Sequence, residues 1–273
     1  MEQGNNNDMR VTTPYLGLDF SFGFYHIPCR ERLRLIRETG FDSVMVTWRE
    51  ESPEAAAPEE IFDAALSAGL RVNTMHAPTG HTPDLWRDTP GGAGYEKRLR
   101  YIVRFCGEHD VPNLVLHTTK KFETPPPNAI GAERVRRLAE EAEKYKVNLA
   151  WENTRFLNYN AYLYAHVSSP RMRFCFDCGH ANAFTPGEDP LARFGDRLVT
   201  VHLHDNHGPQ VGDEHLLPGQ GSIDFPALMR RLKPYGLQYY HLESHTLTRG
   251  TETEADMAAY LADAYARLSG LVH

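Results

Sequence analysis

The stretch VNLAWENTRFLNYNAYLYAHV, residues 147–167, reads as one strand followed by one helix. Its first part is an apolar run that stops at Glu152-Asn153. Its second part, from about residue 158 to 167, places apolar side chains at helical spacing. Working outward, the same unit recurs. Downstream, MRFCFD (172–177), LVTVHLHD (198–205) and QYYHLES (238–244) are strand-like runs, each followed by a helical pattern: DPLARFGD (189–196), FPALMRRLKPYG (225–236), and an Ala-, Leu- and Glu-rich segment from about Glu252 to Leu268. Upstream, YLGLDFS (15–21), FDSVMVTW (41–48), RVNTMHA (71–77) and VPNLVLHT (111–118) are strands. CRERLRLIRETG (29–40), PEEIFDAALSAGL (58–70), residues 95–109 and residues 131–145 are helices. Gly40 stands where the first helix should stop, and Pro58 in the first turn of the second.

Eight such units, evenly spaced over roughly 255 residues without a linker, have the size and rhythm of an α/β closed (β/α)8 TIM barrel. The expected domain is residues 15–273. An open, doubly wound sheet would carry a glycine-rich phosphate loop after its first strand; the sequence there is DFSFGFYHIP (19–28), with no GxGxxG. Residues 1–14, MEQGNNNDMRVTTP, are polar and read as a disordered lead-in, not a signal peptide.

Apolar residues make up 41% of the 273-residue chain and charged residues 24%, enough for a large core and against global disorder. The net charge of -7, with histidines neutral, gives no long-range attraction for a phosphate backbone, so nucleic acid is not the expected partner. Four cysteines are too few for a disulfide framework. Cys175 and Cys178 form half of a zinc knuckle with no second pair to complete it, and read as buried thiols. No run of about 18 apolar residues exists, so no membrane span is expected and the expected location is cytoplasmic. The helical faces on the outside of such a barrel are compatible with a dimer or tetramer.

In a barrel of this kind the C-terminal ends of the strands converge on one mouth. His76, His117, Glu152 and Asp177 end strands three to six. His180 follows in the turn, His202 lies near the end of strand seven and Glu243 near the end of strand eight. Asp213 and His215 sit in the polar excursion 206–222, where a D-x-H spacing points two side chains the same way. Carboxylates and imidazoles suit Mn²⁺, Zn²⁺, Co²⁺ or Mg²⁺. A carboxylate after an apolar strand is costly unless it is paired or binds a cation, and Glu152, Asp177 and Glu243 are all so placed. Glu152, Asp177, His202 and Glu243 are candidate metal ligands on the strands themselves. With His76, His117, His180, Asp213 and His215 the site is large enough for two or three zinc ions.

Other side chains have a claim on substrate: His76, His117, His204, Lys120 and Arg155 near strand ends, and the loop histidines His81, His207 and His245. Phe22, Phe24, Tyr25 and Trp86 form either an apolar wall of the site or anchors that pack its loops. The clusters at 97–100 (KRLR) and 134–137 (RVRR) lie on helices and read as solvated outer faces.

The pieces NTMHAP (73–78), LH (116–117), WEN (151–153), FDxxH (176–180), VHLHD (201–205), DxHLLPGQGSIDF (213–225) and LE (242–243), in this order, resemble the xylose isomerase-like, AP endonuclease family 2 superfamily of barrels. The resemblance runs from Tyr15 to about Leu268. One branch resembles sugar and sugar-phosphate isomerases and epimerases of the tagatose epimerase, hydroxypyruvate isomerase and inosose dehydratase kind. It implies one divalent ion on Glu152, Asp177, His202 and Glu243, with Glu152 and Glu243 as an acid–base pair and His180 on a substrate oxygen. The other resembles endonuclease IV and implies a trinuclear zinc phosphodiesterase that uses all nine positions.

The departures favour the first branch. The third-strand histidine is followed by APTGH with no nearby tyrosine to probe DNA. The opening HxSxxGG of the endonucleases is replaced by GLDFSFG (17–23), and the loop after strand two, WREESPE (48–54), carries three glutamates where DNA-gripping residues would stand. The expectation is a metal-dependent enzyme that moves a proton between carbons of a small-molecule carbohydrate through an enediolate.

Overall fold

The computed structural model describes residues 13–49, 56–120 and 122–273. Most of the expected lead-in, Glu50, Glu51 and Glu54 of the loop after strand two, and Lys121 lie outside the described residues. Eight parallel strands pair in chain order and close into a barrel: β1 (Tyr15–Asp19), β2 (Ser43–Thr47), β3 (Thr74–His76), β4 (Asn113–Leu116), β5 (Asn148–Glu152), β6 (Met172–Asp177), β7 (Leu198–Leu203) and β8 (Tyr239–Leu242). Around them run α1 (Cys29–Thr39), α2 (Pro58–Ser67), α3 (Pro90–Glu108), α4 (Ala129–Tyr145), α5 (Leu157–His166), α6 (Cys178–Phe184), α7 (Pro190–Phe194), α8 (Phe225–Leu232) and α9 (Glu254–Val272). The expected (β/α)8 barrel is the fold. Among the described residues no helix is long and apolar enough to cross a membrane.

Strand period places the site. Val115, Ala150 and Cys175 form a small buried cluster, apart from the main core between barrel and helices. Side chains two positions further along a strand point the same way, so His117, Glu152 and Asp177 stand one layer above that cluster. At the other end, Asn73, Asn113 and Asn148 are chained by side-chain amides: Asn113 donates to Asn73 (3.1 Å) and Asn148 to Asn113 (3.0 Å). Polar groups therefore seal the floor of the barrel, small apolar residues fill its middle, and the titratable groups collect at the mouth.

Two local expectations change. His180 is not in an open turn but in the first turn of α6, whose N-terminus Asp177 caps by accepting from the His180 N–H (2.6 Å). Arg134 is not solvated. It is buried, and its guanidinium donates to the carbonyls of Asp84, Leu85 and Arg87, fastening the 3-10 turn Thr82–Trp86 to α4. Arg137 pairs with Glu96, and Arg100 with Glu141, so these arginines tie α3 to α4.

Candidate metal centre

Barrel register brings the expected ligands level. Asp177 pairs with His202, and His202 with His241, two residues before Glu243. Glu152 is fully buried at the centre, and four imidazoles surround it. Its Oε2 lies 2.8 Å from His117 Nε2 and 3.4 Å from His76 Nε2; its Oε1 lies 3.0 Å from His202 Nδ1 and 3.4 Å from His180 Nδ1. Among the described residues the donor atoms fall into four groups, each within 4.8 Å: His76–His117–Glu152, Glu152–Cys175–His202 and Glu152–Asp177–His202–Glu243, which share Glu152, and the separate group His180–His204–Asp213–His215.

Protons alone satisfy this arrangement poorly, which makes it a fit for divalent cations. His202 Nδ1 faces Glu152 Oε1 at 3.0 Å, Glu243 Oε2 at 2.8 Å and Asp177 Oδ2 at 3.8 Å. One ring nitrogen can donate one proton, so it cannot serve three carboxylates. Three histidines have their tautomer set from behind. Backbone carbonyls lie 2.8 Å from His76 Nδ1 (Ala77), 3.1 Å from His180 Nδ1 (Asn153) and 2.6 Å from His215 Nδ1 (Glu243). A carbonyl only accepts, so each Nδ1 carries its hydrogen, and in the neutral ring Nε2 presents a lone pair. For His180 and His215 that lone pair faces Asp213 Oδ2, at 3.2 and 3.1 Å. Asp213 Oδ1 and Glu243 Oε2 are buried without a hydrogen-bond partner among the described residues. Lone pairs turned on carboxylates, with ring orientation fixed from behind, are what a cation needs.

Charge coupling across the cluster is strong. Burial alone would raise the Glu152 carboxyl, but His202, His117 and His180 outweigh it and hold it well below the ordinary carboxylate range. Burial opposes charge on His202 and His180, yet the neighbouring Cys175, Glu243 and Glu152 for the first, and Asp177, Asp213 and Glu152 for the second, lift both well above the usual imidazole value. His215 is pushed down by burial and up, further, by Asp213, reaching about 9. His117 goes the other way: burial exceeds the pull of Glu152 and lowers it.

The excursion after β7 is folded by a residue the sequence did not single out as functional. Asp205 is buried, and its carboxylate accepts from the N–H groups of Asn206 (2.9 Å), Gly219 (2.9 Å), Gly221 (2.8 Å) and Ile223 (3.1 Å). Asp205 also bridges to Leu216 through two backbone bonds. These contacts carry Asp213 and His215 back over the mouth. Asp205→Asn is expected to lower stability by about 2 kcal/mol, since an amide loses the charge-assisted bonds and turns donors toward donors. It should also weaken metal retention at Asp213 and His215; thermal melts with and without chelator read both effects.

A cavity of about 610 Å³ opens at the mouth. His76, His117, His180, Asp213, His215, Glu243, His81, His245 and Lys120 line it, as expected, together with Asp19, Thr47 and Arg49, which were not expected. Glu152, Asp177, His202 and His204 stand beneath the surface, all fully buried. Three expectations of substrate contact are corrected. Trp86 is buried away from the cavity, donates to the Thr118 carbonyl (2.9 Å) and packs edge-on against Tyr159. Arg155 lies over the Phe184 ring (3.9 Å) and the Phe122 ring (4.7 Å), where cation–π packing holds it out of the mouth. His204 lies behind Asp177, 3.0 Å from its Oδ1, stacked on His215. Phe22 and Phe24 pack on Tyr260 as loop anchors. Cys175 and Cys178 are buried thiols.

The sequence model of the family described as "Xylose isomerase-like TIM barrel" matches residues 33–263. The chain is 27% identical over 267 residues to the uncharacterized protein y4fM of Sinorhizobium fredii, covering 79% of this chain and 83% of that protein. It is 26% identical over 246 residues to the fructoselysine 3-epimerase of Shigella flexneri, covering 81% of this chain and 86% of that one. Its fold superposes on the D-psicose 3-epimerase of Clostridium cellulolyticum H10 with a TM-score of 0.74 at 14% identity, over 94% of this chain and 99% of that chain. With the strand-end ligand series in place, the match over residues 33–263 decides the matter: the chain belongs to the xylose isomerase-like TIM barrel family.

Proposed function

We propose that the protein is a divalent-metal-dependent isomerase or epimerase that acts on a sugar, sugar phosphate or related polyol by moving a proton through an enediolate. The observation that carries this reading is the convergence of Glu152, Asp177 and Glu243 on a single imidazole nitrogen of His202, at the edge of a cavity sized for a small molecule. The sugar epimerases among its relatives support the same class of reaction.

Glu152, Asp177, His202 and Glu243 would hold a cation, which when bound supplies Lewis acidity toward a carbonyl oxygen and its neighbouring hydroxyl. The two glutamates differ in exposure. Glu243 lines the cavity, whereas Glu152 is fully buried. Glu243 is therefore the group placed to remove the carbon-bound proton and return it to the neighbouring carbon. Glu152 completes the acid–base pair from the deeper layer and orients the surrounding imidazoles. His180, cavity-lining and buried, would donate to the developing oxyanion through Nε2 as the imidazolium, the form that Asp177, Asp213 and Glu152 favour. Burial of the cluster keeps bulk water from competing for these groups.

Stripping metal from the full-length protein with chelator is expected to lower ketose turnover at least about a thousand-fold, the worth of several kcal/mol of charge stabilisation, and readdition of Mn²⁺, Co²⁺, Zn²⁺ or Mg²⁺ should restore it. Solvent-deuterium incorporation into a ketose panel, followed by NMR, is the assay. Turnover that survives chelation would overturn the proposal.

One observation favours a second reading, a multinuclear zinc phosphodiesterase: all nine candidate ligands belong to groups whose donor atoms lie within 4.8 Å of one another. Elemental analysis of protein purified without chelator separates the two. Three zincs per chain together with cleavage of abasic-site DNA would establish the second reading; one equivalent and no cleavage would remove it.

A further inference from the structure

Arg49 and Lys120 are cations of the cavity wall that pair with no carboxylate among the described residues. Both line the mouth, and neither side chain makes a hydrogen bond or salt bridge with a described residue. The three carboxylates that share the wall are already engaged. Asp19 accepts from the Ser21 N–H (3.2 Å) and Thr47 Oγ1 (3.3 Å) and faces His245 (3.4 Å). Asp213 faces His180 and His215, and Glu243 faces His202. His81, on the same wall, pairs with Asp84 outside it. Arg49 follows β2 and Lys120 follows shortly after β4, so strand order sets them on either side of the loop after β3. Lys120 reaches toward that loop: a Cβ on Gly80 would stand 4.0 Å from its Nζ. The acidic ligands come instead from β5, β6 and β8, and β7, which carries His202, stands four strands around the ring from β3.

The cavity wall thus carries the acid–base groups of β5 to β8 and, after β2 and β4, two cations that pair with no described residue, in a chain whose net charge is -7. A neutral sugar has no use for them, whereas an anionic end group would gain charge-assisted hydrogen bonds from both, forked from Arg49 and single from Lys120. We infer that the substrate carries an anionic group, a phosphate ester or a carboxylate, at the end remote from its reacting carbons, and that Arg49 and Lys120 bind it. This rests on the isomerase or epimerase reading for the identity of the reacting end, but the anion site can be tested without it.

The test has two arms, both on full-length protein. In the first, inorganic phosphate and acetate are titrated separately into metal-free wild type and into the R49Q/K120Q double variant by calorimetry. At least one of the two anions should bind the wild type, and at least ten-fold more weakly the double variant, with K120R restoring part of the loss; which anion binds tells phosphate from carboxylate. Equal binding by wild type and double variant, or none by wild type, overturns the inference. In the second arm, metal-loaded enzyme is given neutral ketoses, ketose phosphates and keto-sugar acids. The kcat/KM preference for the anionic substrate should fall at least ten-fold in the double variant, mainly through KM. A wild-type preference for neutral sugars overturns the inference, whereas absence of turnover on every sugar defeats the isomerase reading and leaves the anion site to be decided by the titration.

Discussion

Glu152→Gln is expected, on the proposed function, to abolish sugar turnover, by at least about a thousand-fold, and to lower the metal content of the purified protein. Glu152 differs from the other ligands in being shared. Three of the four donor groups contain it, and its oxygens lie within 3.4 Å of four imidazoles, those of His76, His117, His180 and His202. The amide of glutamine keeps the volume but offers one accepting oxygen and an NH2 that can only donate. Whichever way it turns, either the His76–His117 side or the His180–His202 side meets a donor where it had an anion. The charge is lost as well, and with it part of the attraction, shared with Cys175 and Glu243 for His202 and with Asp177 and Asp213 for His180, that holds both above the usual imidazole value. Glu152→Asp is a sharper control. It retains the charge but is shorter by one methylene, so it cannot reach both sides at once and should retain metal weakly with turnover still reduced. Elemental analysis and deuterium incorporation read the two effects separately. Full metal content and normal turnover in Glu152→Gln would mean that the buried carboxylate is structural and that the chemistry lies elsewhere.

What could be read from sequence, and what could not, follows the range of the interactions. The barrel was legible because strand and helix periods are local, and because a missing glycine-rich loop at 19–28 argues against the open sheet. The convergence of Glu152, Asp177 and Glu243 at the mouth was legible because an acid after an apolar strand is expensive without a cation or partner. Features set by distant backbone partners were not. Asp205 looks like any polar residue after a strand, and its role depends on N–H groups of Gly219, Gly221 and Ile223 that only the folded excursion presents. Arg134 sits in a run of arginines that resembles a solvated face, but the carbonyls it serves lie about 50 residues upstream in the 3-10 turn. Trp86, in a Pro- and Gly-rich loop, has the composition of a binding wall; the loop is instead pinned over α4, and its indole is part of the pin. α6 was missed because Asp177 has two uses. Read as a ligand it ends a strand, while as a cap it also begins a helix of seven residues.

The strongest structural prediction concerns Gly179, where propensity and packing have opposite signs. Gly179 lies inside α6, and helix propensity alone would make Gly179→Ala stabilising by about 1 kcal/mol. Packing says otherwise. A Cβ there would lie 1.9 Å from Cε1, 2.3 Å from Nδ1 and 2.5 Å from Nε2 of His204, through the body of the ring. That ring has nowhere to go: Nε2 is held by Asp177 at 3.0 Å, one face is stacked 4.0 Å from His215, and the His204 backbone carbonyl accepts from Cys178 Sγ at 3.3 Å. Moving it would break the Asp177 contact and press on His215, so the damage should reach the metal ligands. The expected net effect is a loss of about 3 kcal/mol, at the upper end for an overpacked site, or a fall in Tm of about 6–12 °C for a domain of this size. If the overlap is the cause, His204→Ala, itself destabilising through lost packing and the loss of one partner of Asp177, should make the second substitution nearly harmless. The double variant would then be more stable than the sum of the single losses predicts, by about 2 kcal/mol. Additive losses, or a Gly179→Ala protein that melts at or above the wild-type temperature, would show that His204 is not packed against α6 as described.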